Sequence, residues 1–129
     1  TDEIHFIDYE YCGYNFRGFD IGNHFCEYSG FSINSDKYPS IDTQREFLKI
    51  YAERAKLNHL DDEVIEKLRV EANFCSLLAN LAWGTWAIFQ LKNSNIDFNY
   101  LSYGRKKIEW YWKTKDTYLQ ELELFHAKN

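Results

Sequence analysis

The sequence predicts a mainly α chain, with a short β-strand or hairpin at the N-terminus followed by four helices, in a single domain spanning residues 1–129. Three observations carry that prediction. Apolar residues recur at three- and four-residue spacing along most of the chain, as one buried face of a helix requires. The only proline, Pro39, falls between helical stretches. The one short apolar run that ends in an acid lies at the very start, over residues 4–8.

Taken in order, residues 4–8 read as an apolar strand ending in Asp8, and on an extended backbone Glu10 leaves by the same side. Residues 20–28 look helical, with Asp20 placed as a cap and Gly30 as a stop. Residues 31–40 form a loop. A second helix runs from Asp42 or Thr43 to Leu57, with Phe47, Ile50 and Tyr51 inward and Lys49, Glu53 and Arg54 outward. A long third helix starts near Asp61, whose acids suit a helix N-terminus, and continues to about Lys92. Residues 93–97 turn the chain. The last helix, from about Phe98, carries Ile108, Tyr111, Trp112, Tyr118, Leu122 and Phe125 with charges between them.

Composition narrows the function classes. A formal charge of −5, with basic residues scattered among acids, argues against a nucleic-acid footprint. Cys12, Cys26 and Cys75 cannot all pair, lack metal-site spacing and come with no signal-like N-terminus, so a cytoplasmic location is expected. Residues 74–91 are uncharged and just long enough to be considered as a membrane span. Asn80, Gln90 and Gly84 interrupt them, and the same helical pattern opens with Glu66, Lys67 and Arg69, so they read as a central buried helix. No membrane insertion is expected. At 19% aromatic content, much ring surface must be buried or used as a binding wall.

Two groups of residues carry chemistry. Asp8 and Glu10 place two hard oxygen donors at the end of the expected strand, a set that suits magnesium and also reads as an exposed acidic loop. Trp83 and Trp86 lie three apart on one face of the third helix, and Phe98 and Tyr103 follow the turn, where an antiparallel helix would bring them opposite. Four such rings make either a core or a cage that attracts an ammonium ion through the ring quadrupoles. Arg17 is placed to pair with an acid or reach a phosphate, and Asp20 and Asn23 to cap or bridge the acidic loop. His24 reads as structural, while His5, His59 and His126 are isolated. Cys12 and Cys26 read as small semi-buried side chains.

The segment DYEYCGYNFRGFDIGNHFCE, residues 8–27, resembles the metal-site and substrate-site segment of the choline/ethanolamine kinases. In that family D-[FY]-E is followed by Y-N-x-x-x-F-D-x-x-N-H-F-x-E, matched here by Tyr14, Asn15, Phe19, Asp20, Asn23, His24, Phe25 and Glu27 in register. The family's W-x-x-W and I-[DE]-F appear as Trp83 with Trp86 and as Ile96, Asp97 and Phe98. The resemblance implies the helical C-terminal lobe of a protein-kinase-like fold of the choline kinase type. It further implies that Asp8 and Glu10 hold Mg2+ under ATP, and that Tyr11, Glu27, Trp83, Trp86, Phe98 and Tyr103 surround the amine, with Glu27 as counter-charge.

On this resemblance the enzyme phosphorylates ethanolamine or choline, the first step of phosphatidylethanolamine or phosphatidylcholine synthesis. Details such as Tyr9 within the acidic motif and the Glu27-Tyr28-Ser29-Gly30 run lean slightly to ethanolamine. In the family the phosphate loop, its lysine and the catalytic-loop aspartate lie upstream of D-[FY]-E, so no catalytic residue is expected in this chain. Its partners would be ATP, the amino alcohol, the upstream lobe and, as related enzymes often dimerise, a second copy. By itself the chain is expected to be inert. Two other readings are an ammonium-binding module without catalysis and a helical scaffold domain.

Overall fold

Two helix starts follow directly from side chains that bond their own backbone. Ser40 accepts a hydrogen bond from the Thr43 amide and opens α2 (Ile41–Arg54); Asp61 accepts from the Val64 amide and opens α3 (Asp62–Asn93). The computed structural model describes residues 3–57 and 61–128, so His59 lies outside the described residues. It adds α1 (Arg17–Glu27), a single 3-10 turn at Ser35–Lys37 and α4 (Tyr100–Lys128), whose first turn is capped by Asn99 accepting from the Ser102 amide.

The bounds of α2, α3 and α4 agree with the periodicity to within three residues, and four α-helices are present among the described residues, as expected. Three expectations change. Helix α1 starts three residues before Asp20, at Arg17, so Asp20 is an exposed first-turn acid and the N-cap is Phe16, which makes no side-chain cap bond. On α2 the buried line is Gln44, Leu48 and Ala52, with Phe47 and Tyr51 beside it, while Ile50 is exposed. No strand forms among the described residues. Residues 4–8 have no second strand to pair with, and Asp8 adopts the left-handed conformation (φ 65°), which ends any extended run at that residue. Asp8 and Glu10 are therefore not alternate residues of one strand face.

Helix α3 is the centre of the fold. Both α1 and α2 pack on its N-terminal two-thirds through Ile21, Phe25, Leu48, Ala52, Ile65, Leu68 and Ala72, all buried. Each large apolar side chain among them contributes about 1.5–3 kcal/mol by leaving water. Helix α4 runs back along the whole length of α3. At one end Arg69 of α3, 5% exposed, donates to Glu66 at 2.7 and 2.9 Å and to Glu121 of α4 at 3.2 Å. The Arg69 hydrogen bonds hold the Glu66 carboxyl below the usual carboxylate range. At the other end Gly84 and Gly104 meet, where a Cβ on Gly104 would stand 3.1 Å from the Gly84 carbonyl oxygen. That close crossing brings the tryptophans of α3 beside the start of α4.

By length and composition α3 is able to cross a membrane. In this structure the other three α-helices pack on it. Arg69, Asn73, Ser76 and Asn80 are buried on it against its neighbours, with Asn73 bonded to Tyr38 at 2.9 Å and Asn80 to Cys26 at 3.4 Å, as a core helix requires. Cys26 is fully buried, and burial pushes its thiol up to about 11, whereas Cys12 is exposed; neither is semi-buried as expected. Trp110 belongs to the core, edge-on to Tyr38 at 5.4 Å, and Trp112 to the surface.

Helix α1 approaches α3 most closely at Gly22, where a Cβ would meet the Ala72 carbonyl oxygen and, at 2.7 Å, the Ser76 amide nitrogen. Both atoms are backbone and cannot rotate away. Gly22→Ala is accordingly expected to push the two helices apart and destabilise the fold by about 2 kcal/mol or more. A thermal melt of the intact protein checks this, and an unchanged Tm would mean that the α1–α3 contact is looser than described.

Candidate functional site

Residues three apart on a helix are neighbours on its surface, and Trp83 and Trp86 accordingly stand edge to face with ring centroids 5.4 Å apart. Both indoles are fixed by their N–H groups. Trp83 Nε1 donates to Asn23 Oδ1 of α1 at 2.7 Å, and Trp86 Nε1 donates to the Tyr11 hydroxyl at 2.9 Å. Asn23 thus orients a tryptophan and does not bridge the acidic loop. Tyr11 is also edge-on to Trp83 at 5.8 Å, so it backs both indoles from the loop side.

The second half of the ring cluster comes from the turn after α3 and the start of α4. Tyr100 lies edge-on to Trp86 at 5.7 Å and to Phe98 at 4.9 Å, and Phe98 meets Tyr103 at 5.6 Å. Ser94 bonds the Tyr100 hydroxyl at 2.9 Å, tying the turn to the ring it supports. Opposite, the loop after α1 is held on α4 by Lys106, which donates to the Ser32 carbonyl at 3.0 Å, and this sets Phe31 against Phe98 at 5.7 Å.

These rings enclose a cavity of about 480 Å³. Trp83, Trp86, Phe98 and Tyr103 line it together with Glu27. Asp8 lines it as well. Tyr11 and Glu10 do not: Tyr11 contacts the indoles from outside, and Glu10 is exposed in the turn closed by the Cys12 amide on the Tyr9 carbonyl at 3.0 Å. Tyr100, Phe31, Ile96 and Asn23 are lining residues that the sequence reading had not assigned to the pocket. Tyr100 had one available signal, since it stands three before Tyr103 on the same helix face.

Charge in the cavity is arranged asymmetrically. Glu27, half-exposed at the end of α1, faces the Lys107 ammonium at 3.5 Å, and that ammonium also lies 5.5 Å from the Tyr103 ring centroid. Burial, and then the Glu27 charge, raise the Tyr103 phenol above its ordinary range, so it stays protonated at neutral pH. A volume of this size with largely aromatic walls and two carboxylates, Glu27 and Asp8, in its lining suits a small cation.

The remaining candidates take structural places. Arg17 pairs with Glu71 at 3.1 Å, the acid partner expected for it. His24 stacks on Phe47 with centroids 4.8 Å apart, a structural use as expected. His5 lies 3.5 Å from Glu3 and His126 lies edge-on to Phe125 at 6.2 Å, so neither is isolated. Among the described residues no group of three or more His, Cys, Asp or Glu side chains converges for a metal. Magnesium takes one or two protein carboxylates and fills its octahedron with water and phosphate oxygens; of the two carboxylates expected for it, Asp8 lines the cavity and Glu10 is exposed outside it.

Comparison with known proteins adds an independent line. The family model described as choline/ethanolamine kinase matches residues 1–112. "Probable ethanolamine kinase A" of Dictyostelium discoideum is 45% identical over 114 residues, 88% of this chain and 33% of that protein. "Probable ethanolamine kinase" of Arabidopsis thaliana is 40% identical over 114 residues, 88% of this chain and 30% of its own length. "Ethanolamine kinase" of Drosophila melanogaster is 35% identical over 128 residues, 98% of this chain and 24% of its own. The chain therefore spans about a quarter to a third of the length of these relatives.

Proposed function

This chain belongs to the choline/ethanolamine kinase family, and we propose that it is the amine-binding and metal-holding C-terminal portion of a cytoplasmic enzyme that transfers the γ-phosphate of ATP to ethanolamine. The single observation that carries the reading is that one cavity is lined both by the aromatic and carboxylate groups that suit an ammonium ion and by Asp8. An amino alcohol has one cationic end and one hydroxyl end about two carbons apart. With its ammonium among Trp83, Trp86, Phe98 and Tyr103, and Glu27 as counter-charge, its hydroxyl is directed toward the Asp8 side of the same space.

Asp8 and Glu10 would hold Mg2+ on the ATP phosphates. When bound, the ion supplies neutralisation of the charge on the transferring phosphoryl group. This chain's own residues position. The rings exclude water from the ammonium, which strengthens its attraction to Glu27. By fixing the ammonium end, the anchored Trp83 and Trp86 indoles restrict where the hydroxyl end lies, and such positioning is a main contribution to phosphoryl transfer. A proton acceptor for the hydroxyl and a lysine for the phosphates come from the rest of the enzyme, and the chain alone is inactive.

Ethanolamine is favoured over choline as the amine because the relatives named above carry ethanolamine kinase names. The test is an ADP-release assay with Mg2+, ATP and either amine, on the chain alone and on the intact enzyme. Turnover by the intact enzyme only, faster with ethanolamine, is the expected result. Thermal stabilisation of the intact protein by choline with no turnover would instead indicate an ammonium-binding module.

A further inference from the structure

Lys107 is 1% exposed, which is unusual for a lysine. It stands one helical turn after Tyr103 on α4, and its ammonium reaches across to Glu27, the last residue of α1. A buried ammonium is tolerated only with a partner. Here both partners, the Glu27 carboxylate and the Tyr103 ring, are themselves walls of the cavity.

We propose that Lys107 is a positioning residue that makes this cavity select primary over quaternary ammonium ligands, by holding one Glu27 carboxylate oxygen and leaving the other for the ligand. The proposal rests on the amino alcohol kinase reading. Glu27 Oε1 is the oxygen at 3.5 Å from Lys107. The pair carries little net charge, so a quaternary ammonium, which has no N–H, gains little from it beyond the rings. A primary ammonium has three donors and takes a charge-assisted hydrogen bond from the remaining oxygen, whose direction the pair fixes. Without Lys107 the half-exposed Glu27 is free to turn into water. A primary amine then loses its oriented acceptor, whereas a quaternary amine loses a nearby like charge and gains.

The experiment measures kcat and KM for ethanolamine and choline in the intact enzyme, with wild type, Lys107→Met, Lys107→Arg and Lys107→Ala, each checked by thermal melting. In Lys107→Met the ratio of kcat/KM for ethanolamine to that for choline is expected to fall about tenfold, carried by opposite changes in the two amine KM values. Lys107→Arg, which keeps the cation, is expected to retain the ratio. A purely structural lysine would instead raise both amine KM values and the ATP KM together. A wild-type ratio in folded Lys107→Met overturns the assignment. Should that variant not fold, Lys107→Ala, which leaves room for water beside the Glu27 carboxylate and keeps that carboxylate in place, decides on the same ratio: a fall supports the assignment and a wild-type value overturns it. Wild-type enzyme inactive on both amines would overturn the kinase reading and this proposal with it, an outcome separate from an unchanged ratio.

Discussion

Asp8→Ala in the intact enzyme is expected to lower kcat about a thousandfold or more while the Tm stays within a degree or two of wild type. Asp8 is exposed on the segment before α1 and contributes nothing to the core, so its removal disturbs no packing. Its place on the cavity wall beside the aromatic rings is what gives the substitution its reach. Titrating Mg2+ against activity distinguishes the cause: loss of a metal ligand raises the Mg2+ concentration needed for half-maximal rate in any residual activity. Asp8→Asn is expected to recover little, because a neutral amide oxygen is a far weaker partner for a hard dication. Normal turnover in Asp8→Ala would remove Asp8 from the metal site and leave it as a rim residue.

Trp83→Ala is expected to raise the amine KM roughly 10- to 100-fold with much smaller changes in the ATP KM and in kcat. The indole touches Tyr11 and Trp86 edge to face and is anchored by Asn23, so alanine removes a wall of the cavity and leaves the Asn23 amide oxygen without its donor. Uniform binding of substrate and transition state is what a cage provides, and its loss shows in KM. Trp83→Phe separates the two contributions. It keeps a ring face for the ammonium and loses the N–H, so an intermediate KM is expected. Equal increases in amine and ATP KM, with a lowered Tm, would assign Trp83 to packing between α1 and α3.

How much of this was legible beforehand depends on whether a feature is local. Ser40 and Asp61 open helices by bonding amides three residues on, and those starts were readable to within two residues because the whole interaction lies inside one turn of chain. The pairing of Trp83 with Trp86 was readable for the same reason. The strand at residues 4–8 was not, since a short apolar run is a strand only when another segment completes its hydrogen bonds, and no periodicity reports a missing partner. The inward face of α2 was misplaced by one position because Ile50 and Leu48 are equally apolar, and only the location of α3 decides which of them is covered.

Lys107 is the clearest example of the limit. Within the run Arg105-Lys106-Lys107 it looks like any solvated basic residue, yet Arg105 and Lys106 are exposed and it alone of the three is buried. The sequence by itself determined the family, the four helices and five of the ten residues lining the cavity, because motif spacing and helical period are properties of short stretches. Tertiary structure alone decided that Asp8 shares the cavity while Glu10 and Tyr11 stay outside it, and that Lys107 pairs with Glu27. Those relations join residues as many as 95 positions apart, and they rest on Gly84 and Gly104 letting α3 and α4 cross closely while Gly22 seats α1 against α3.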